Sequence, residues 1–205
     1  MFVVLVKRLI RVVLRFYHHR EITGLNRIPK TGPFLLVGNH VSILDPFYIG
    51  SVIPRDIRYM AKEESFSHPL LRRFLRGVGA FPVNREKPSI RSIKIALGHL
   101  DKGKVIGIFP GGTRREKMAM EEVKQGAAYL SLKTGAPVLP VYIDGTAEAL
   151  PPGTRWPRPS RVRIRIGELI TPEGKGKERQ KQLSMKILDT LSKLSHSGSC
   201  GERIG

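Results

Sequence analysis

Cysteine is almost missing from this 205-residue chain: there is one, Cys200. A disulfide framework is therefore excluded. Cys200 lies in a Gly/Ser-rich run, which lacks the pre-organised surroundings of a nucleophilic thiol. Aromatic residues are only 7% of the chain, with a single tryptophan. That leaves few platforms on which nucleic-acid bases could stack. Carboxylates are scarce too, 17 against 36 Lys and Arg, for a formal net charge of +19. Such a chain calls for an anionic partner, whether nucleic acid, an anionic bilayer or a phosphorylated substrate. No apolar run is long and uncharged enough to span a bilayer. No G-x-S-x-G elbow, zinc spacing or dinucleotide fingerprint occurs. The stretch from Gly98 to Val105, GHLDKGKV, approaches a phosphate-binding P-loop. It lacks the final Ser/Thr and runs from helix into strand, so it reads as a helix C-cap.

What is present begins with MFVVLVKRLIRVVLRFYHH. On a helix of about 100° per residue, Lys7, Arg8, Arg11, Arg15, His18 and His19 share one face, and apolar side chains cover most of the rest. Cations interrupt the apolar run, where a secretory signal would carry them ahead of it. A wide apolar face beside a cationic stripe, without acidic residues, suits a helix lying in a lipid interface. The expected organisation is an amphipathic membrane-surface helix over 1–20, one folded domain over 21–194, and a disordered tail over 195–205.

Along the domain, strands are expected at 21–24, 34–38, 57–61, 81–83, 104–109 and 137–143. The strictly alternating 161–168 reads as an edge-like strand with one wet face. Helices are expected at 46–53, 68–77, 88–102, 119–133 and 177–194. Strands alternating with helices predict a single-domain α/β fold with a mixed, mostly parallel sheet flanked by helices.

Two loops after buried strands carry chemistry. NHVSILDPF, Asn39 to Phe47, offers His40 and, five residues on, Asp45. An imidazole can take a hydroxyl proton near neutral pH. A carboxylate on its other nitrogen would fix the tautomer, as in a Ser-His-Asp triad, with the substrate supplying the hydroxyl. Positions five apart point about 140° apart on a straight helix. The pair therefore requires a bend, and Pro46 disfavours a helical Asp45. FPGGTRR, Phe109 to Arg115, can turn the backbone N–H groups of Gly111, Gly112 and Thr113 toward an anion, with the Thr113 hydroxyl beside them and Arg114 and Arg115 able to grip phosphate. Arg85, in GAFPVNRE, is a third candidate phosphate ligand.

Together these blocks resemble the glycerolipid acyltransferases, specifically the bacterial 1-acylglycerol-3-phosphate acyltransferase family, over about residues 30–145. NHVSILDP is similar to that family's His-x4-Asp block, which implies His40 as general base and Asp45 as its orienting partner. GAFPVNR resembles its second block, implying Arg85 as a phosphate ligand. FPGGTRR resembles its third, implying acceptor-binding roles for Gly111, Gly112, Thr113 and Arg114. VLPVYI resembles the fourth, with Pro140 shaping the acyl or acceptor pocket, and YMAKEE brings in Lys62. Gly111 and Arg115 stand where the family has glutamate and serine.

The resemblance implies a glycerol-3-phosphate acyltransferase-like fold. The implied activity is acyl transfer from acyl-CoA or acyl-carrier protein to the sn-2 hydroxyl of lysophosphatidate, without metal or cofactor. It also implies a peripheral place on the cytoplasmic face of the cell membrane. Another acceptor, a lyso-ornithine lipid or glycerol 3-phosphate, stays open. So does a non-catalytic basic module binding membrane or nucleic acid, although nucleic acid is not the expected partner.

Overall fold

A computed structural model of the chain describes residues 12, 16–84, 90–109, 116–151, 153, 154 and 156–197, with only the backbone for 116–124. Seven strands run β1 His19–Thr23, β2 Phe34–Gly38, β3 Ile57–Lys62, β4 Phe81–Val83, β5 Val105–Ile108, β6 Val138–Asp144 and β7 Arg161–Ile166. The helices are α1 Asp45–Val52, α2 Pro69–Gly77, α3 Ile90–Asp101, α4 Glu116–Thr134, the single turn α5 Thr146–Ala149, and α6 Lys177–His196.

The strands form one sheet in the order β1-β7-β6-β2-β5-β3-β4. Every neighbouring pair is parallel except β6 and β7. The expected mixed, mostly parallel α/β architecture is thus what forms. The apolar runs FLLVG and VIGI are buried throughout, as strands covered on both faces must be. Side chains alternate across the sheet. Leu35, Val37, Ile106 and Val138 pack with Leu100 of α3, Ala127 of α4 and Ile187 of α6. Phe34, Leu36, Val105 and Leu139 pack on the other face with Tyr48 and Ile49 of α1. Gly135 ends α4 at φ +74°, its N–H donating to the Ser131 carbonyl at 2.8 Å, the left-handed cap that glycine favours.

Two expectations are corrected. The RVRIRI strand is internal, lying between β1 and β6. Its polar face is neutralised by neighbours: Arg163 pairs with Glu21 at 3.2 Å and Arg165 with Asp144 at 2.9 Å. His18 and His19 do not extend the N-terminal helical face either. His19 opens β1, and His18 is buried in a bend, edge-on to Tyr48, with Nδ1 3.3 Å from the Ser160 hydroxyl. Burial holds the His18 imidazole below its ordinary pKa. Lys7, Arg8, Arg11 and Arg15 lie outside the described residues, as does the tail beyond Ser197.

Candidate active site

β2, β5, β3 and β4 are mutually parallel neighbours, so their carboxyl ends share one edge of the sheet. Loops at such an edge are where α/β sheets hold ligands. The His40 loop leaves β2 there, Phe109 leads out of β5, Lys62 ends β3, and Asn84 follows β4.

The His40 and Asp45 side chains meet: His40 Nδ1 lies 2.8 Å from Asp45 Oδ2. The bend comes from the turn over residues 42–44 rather than from Pro46, because Asp45 is itself the first residue of α1. That turn is wrapped around the carboxylate. Asp45 Oδ2 also accepts the Val41 and Ser42 backbone N–H groups at 2.7 and 2.8 Å, and Oδ1 accepts the Thr146 hydroxyl at 2.5 Å. Asp45 is fully buried, so four donors take the place of water around the charge. An acceptor at Nδ1 assigns the ring proton to that nitrogen and leaves Nε2 with a free lone pair.

Asn39 fixes the start of the loop. Its amide donates to the Ile143 carbonyl at 2.7 Å and accepts the Ile143 N–H at 2.8 Å, a side-chain bridge from β2 to β6. The His40 ring rests on Phe109, centroids 5.6 Å apart, and Phe109 stacks on Tyr59 at 5.8 Å. Burial pushes the Tyr59 hydroxyl well above its ordinary pKa. It stays protonated and donates to the Pro46 carbonyl at 2.8 Å.

His40 lines a cavity of about 670 Å³ that extends between α1, β3 and α2. Its walls are mainly apolar, including Phe47, Met60, Leu71, Phe74 and Leu75. Lys62 also lines it, half-exposed and 3.3 Å from Glu64. Pro140 is buried mid-way along β6, in register with Val37, and does not line this cavity. Arg85, Gly111, Gly112, Thr113 and Arg114 lie outside the described residues. Among the described residues no cluster of His, Cys, Asp or Glu could hold a metal ion.

Sequence reasoning assigned no role to Asn39, Tyr59, Phe109 or Thr146. Asn39 and Phe109 open the two quoted loops, which was the available signal. Thr146 reaches Asp45 from 101 residues away, and nothing local marks it.

The acyltransferase family model matches residues 19–144. A 1-acyl-sn-glycerol-3-phosphate acyltransferase of Bacillus subtilis is 29% identical over 160 residues, 78% of this chain and 77% of that protein. The protein of that name from Borreliella burgdorferi is 33% identical over 129 residues, 61% of this chain and 51% of its own. A chloroplast relative from Brassica napus is covered over only 41% of its length, so the chain spans about half or less of some of these proteins. The crystal structure of the 1-acyl-sn-glycerophosphate acyltransferase PlsC from Thermotoga maritima has the same fold. Its TM-score is 0.72, over 95% of this chain and 78% of that one, at 24% identity.

Proposed function

The chain belongs to the acyltransferase family, and from that premise we propose that it acylates the free sn-2 hydroxyl of a 1-acylglycerol 3-phosphate. The observation that carries the reading is the dyad. His40 is held by a buried, four-fold hydrogen-bonded Asp45 at the edge of an apolar cavity. His40 Nε2 takes the acceptor's hydroxyl proton as the oxygen attacks the thioester carbonyl of acyl-CoA or acyl-carrier protein. The resulting imidazolium lies against the Asp45 carboxylate. The tetrahedral intermediate collapses with cleavage of the C–S bond, and the thiolate recovers the proton from His40. The apolar cavity suits a fatty acyl chain. Arg85, Gly111, Gly112, Thr113 and Arg114 are assigned to the acceptor's phosphate on sequence grounds, and Lys62 to the cavity wall. The names of the relatives support lysophosphatidate as the acceptor.

A second reading keeps the chemistry and changes the acceptor, because Gly111 cannot hydrogen-bond acceptor hydroxyls as the family glutamate could. No described helix is long and apolar enough to cross a membrane, and the proposed location is peripheral, on the cytoplasmic face. The test is a purified-protein assay with a panel of lyso-acceptors and both thioester donors. His40→Ala should lower turnover by about 10²–10⁴-fold, the usual worth of a general base. A rate within about threefold of wild type would mean almost no lost transition-state stabilisation, and would sink the mechanism.

A further inference from the structure

The helix α2, PLLRRFLRG, is packed unlike the others: none of its residues is buried. At about 100° per residue, Leu70, Phe74, Leu71 and Leu75 fall within an arc of about 140°, while Arg72, Arg76 and Arg73 occupy the opposite side. The helix holds no acidic residue. Leu71, Phe74 and Leu75 line the cavity that contains His40, and Phe74 meets Phe47 of α1 at a ring-centroid distance of 6.0 Å. Yet Leu71 and Phe74 remain 41% and 38% exposed, and Leu70, just outside the cavity, is 74% exposed. Ile43 of the His40 loop also lines the cavity and is 69% exposed. Arg72, Arg73 and Arg76 are exposed as well.

We infer that α2 and Ile43 form a docking rim that seats the mouth of this cavity on an anionic lipid bilayer. The inference rests on reading the cavity as an acyl-chain site. Exposed apolar side chains at a mouth are the arrangement an interfacial helix presents to acyl tails, and flanking arginines suit anionic headgroups. A chain crossing such a rim passes between bilayer and cavity without entering water. A second copy of the protein is disfavoured as the occupant, because a two-fold contact would set arginines against arginines. An acidic carrier protein would satisfy the arginines but leaves no reason for Leu70 and Ile43 to be bare.

The experiment uses the full chain with Cys200→Ser and one introduced label site. Leu70→Cys reports on the rim, and Lys186→Cys, exposed on α6 across the sheet, is the control. Each is tagged with an environment-sensitive fluorophore and mixed with phosphatidylglycerol–phosphatidylcholine vesicles. The label at 70 should shift to the blue and be quenched by a lipid-borne quencher, and the label at 186 should do neither. Vesicle-bound protein without a shift at 70, or with equal shifts at both sites, overturns the inference. So does a shift at 70 that needs no lipid and instead follows protein concentration or added acyl-carrier protein. A second measurement compares acceptors. Leu70→Glu should lower turnover of a long-chain acceptor in vesicles by about tenfold, the low end of what burying one leucine is worth. A short-chain monomeric acceptor should be turned over within about twofold of wild type. Equal loss on both acceptors overturns the docking role, whereas absence of turnover on either by the wild-type protein overturns the functional reading alone.

Discussion

Asp45→Asn separates the charge of the dyad from its geometry. The side chain keeps its shape, and its surroundings dictate how the amide must lie. Oδ2 accepts three N–H groups, from His40, Val41 and Ser42, whereas Oδ1 faces only the Thr146 hydroxyl. An amide NH₂ in the Oδ2 position would confront three donors, so the carbonyl oxygen must take that place. The NH₂ then meets Thr146, whose hydroxyl can rotate from donor to acceptor. All four contacts survive, and His40 keeps its proton on Nδ1. What is lost is the negative charge beside the imidazolium that forms during catalysis. A hydrogen bond to a charged group is worth about 1.5–3 kcal/mol against about 0.5–1.5 for a neutral one. The difference of about 1–2 kcal/mol corresponds to a fall of roughly 5- to 30-fold in kcat.

Asp45→Ala behaves differently. It strands the Val41 and Ser42 N–H groups and the Thr146 hydroxyl, at about 1–3 kcal/mol for each one left unsatisfied. It should unfold several kcal/mol more easily than Asp45→Asn, in which all four donors keep a partner. Steady-state kinetics with chemical denaturation of both variants checks the pair. If Asp45→Asn destabilises as much as Asp45→Ala, the hydrogen-bond assignment is refuted. If Asp45→Asn retains wild-type kcat, the charge plays no part in the reaction.

Arg85→Ala and Arg114→Ala should each raise KM for a phosphorylated acceptor while leaving KM for the thioester nearly unchanged, read from initial rates with either substrate varied. Equal effects on both substrates would refute the assignment to phosphate. Acid should destabilise the fold through His18, which burial holds below its ordinary pKa of 6.5. With the folded pKa below the unfolded one, the unfolded chain binds more protons, so stability falls as pH drops below about 6.5. His99 adds a loss of the same sign, its pKa lowered by burial and by Arg58, Lys102 and Lys104. In His18→Phe, denaturation midpoints between pH 7 and pH 5 should fall less steeply than in wild type, and an unchanged slope would refute His18's part in it.

Much of the fold is legible because its signals are local. The runs FLLVG and VIGI are short, apolar and bounded by Gly, Pro or Lys, and they become the buried centre of the sheet. α1 and α2 carry prolines in their first turn, Pro46 and Pro69, and α3 and α4 stop short of Gly103 and Gly135. The alternation of RVRIRI misleads for a physical reason: a polar strand face reads the same whether water or carboxylates cover it. Here Glu21 and Asp144, on the two flanking strands, are the cover, and their proximity is a property of the topology. The dyad has the same mixture. Its spacing is local, but the turn that closes it is held by Asp45's own carboxylate and by Thr146 from a distant segment.

The loops of the site are bound into one closed circuit of contacts, which explains how segments far apart in sequence can present a single geometry. Asp45 holds His40, His40 rests on Phe109, Phe109 stacks on Tyr59, and Tyr59 donates to the carbonyl of Pro46, the residue next to Asp45. The circuit joins the ends of β2 and β5, the middle of β3 and the start of α1. Two glycines leave room for it. A Cβ on Gly107 would stand 2.6 Å from the Tyr59 ring, and one on Gly38 would stand 3.0 Å from the Phe109 ring. A side chain at 107 would have to displace the Tyr59 ring, while one at 38 would press on Phe109 and on the Val141 carbonyl, also 3.0 Å away; a shift of either ring is felt along the stack at the imidazole. The small residues inside two of the most buried strands are therefore part of how His40 is aimed. Glycine weakens a strand interior and marks a close approach, here the approach of an aromatic ring.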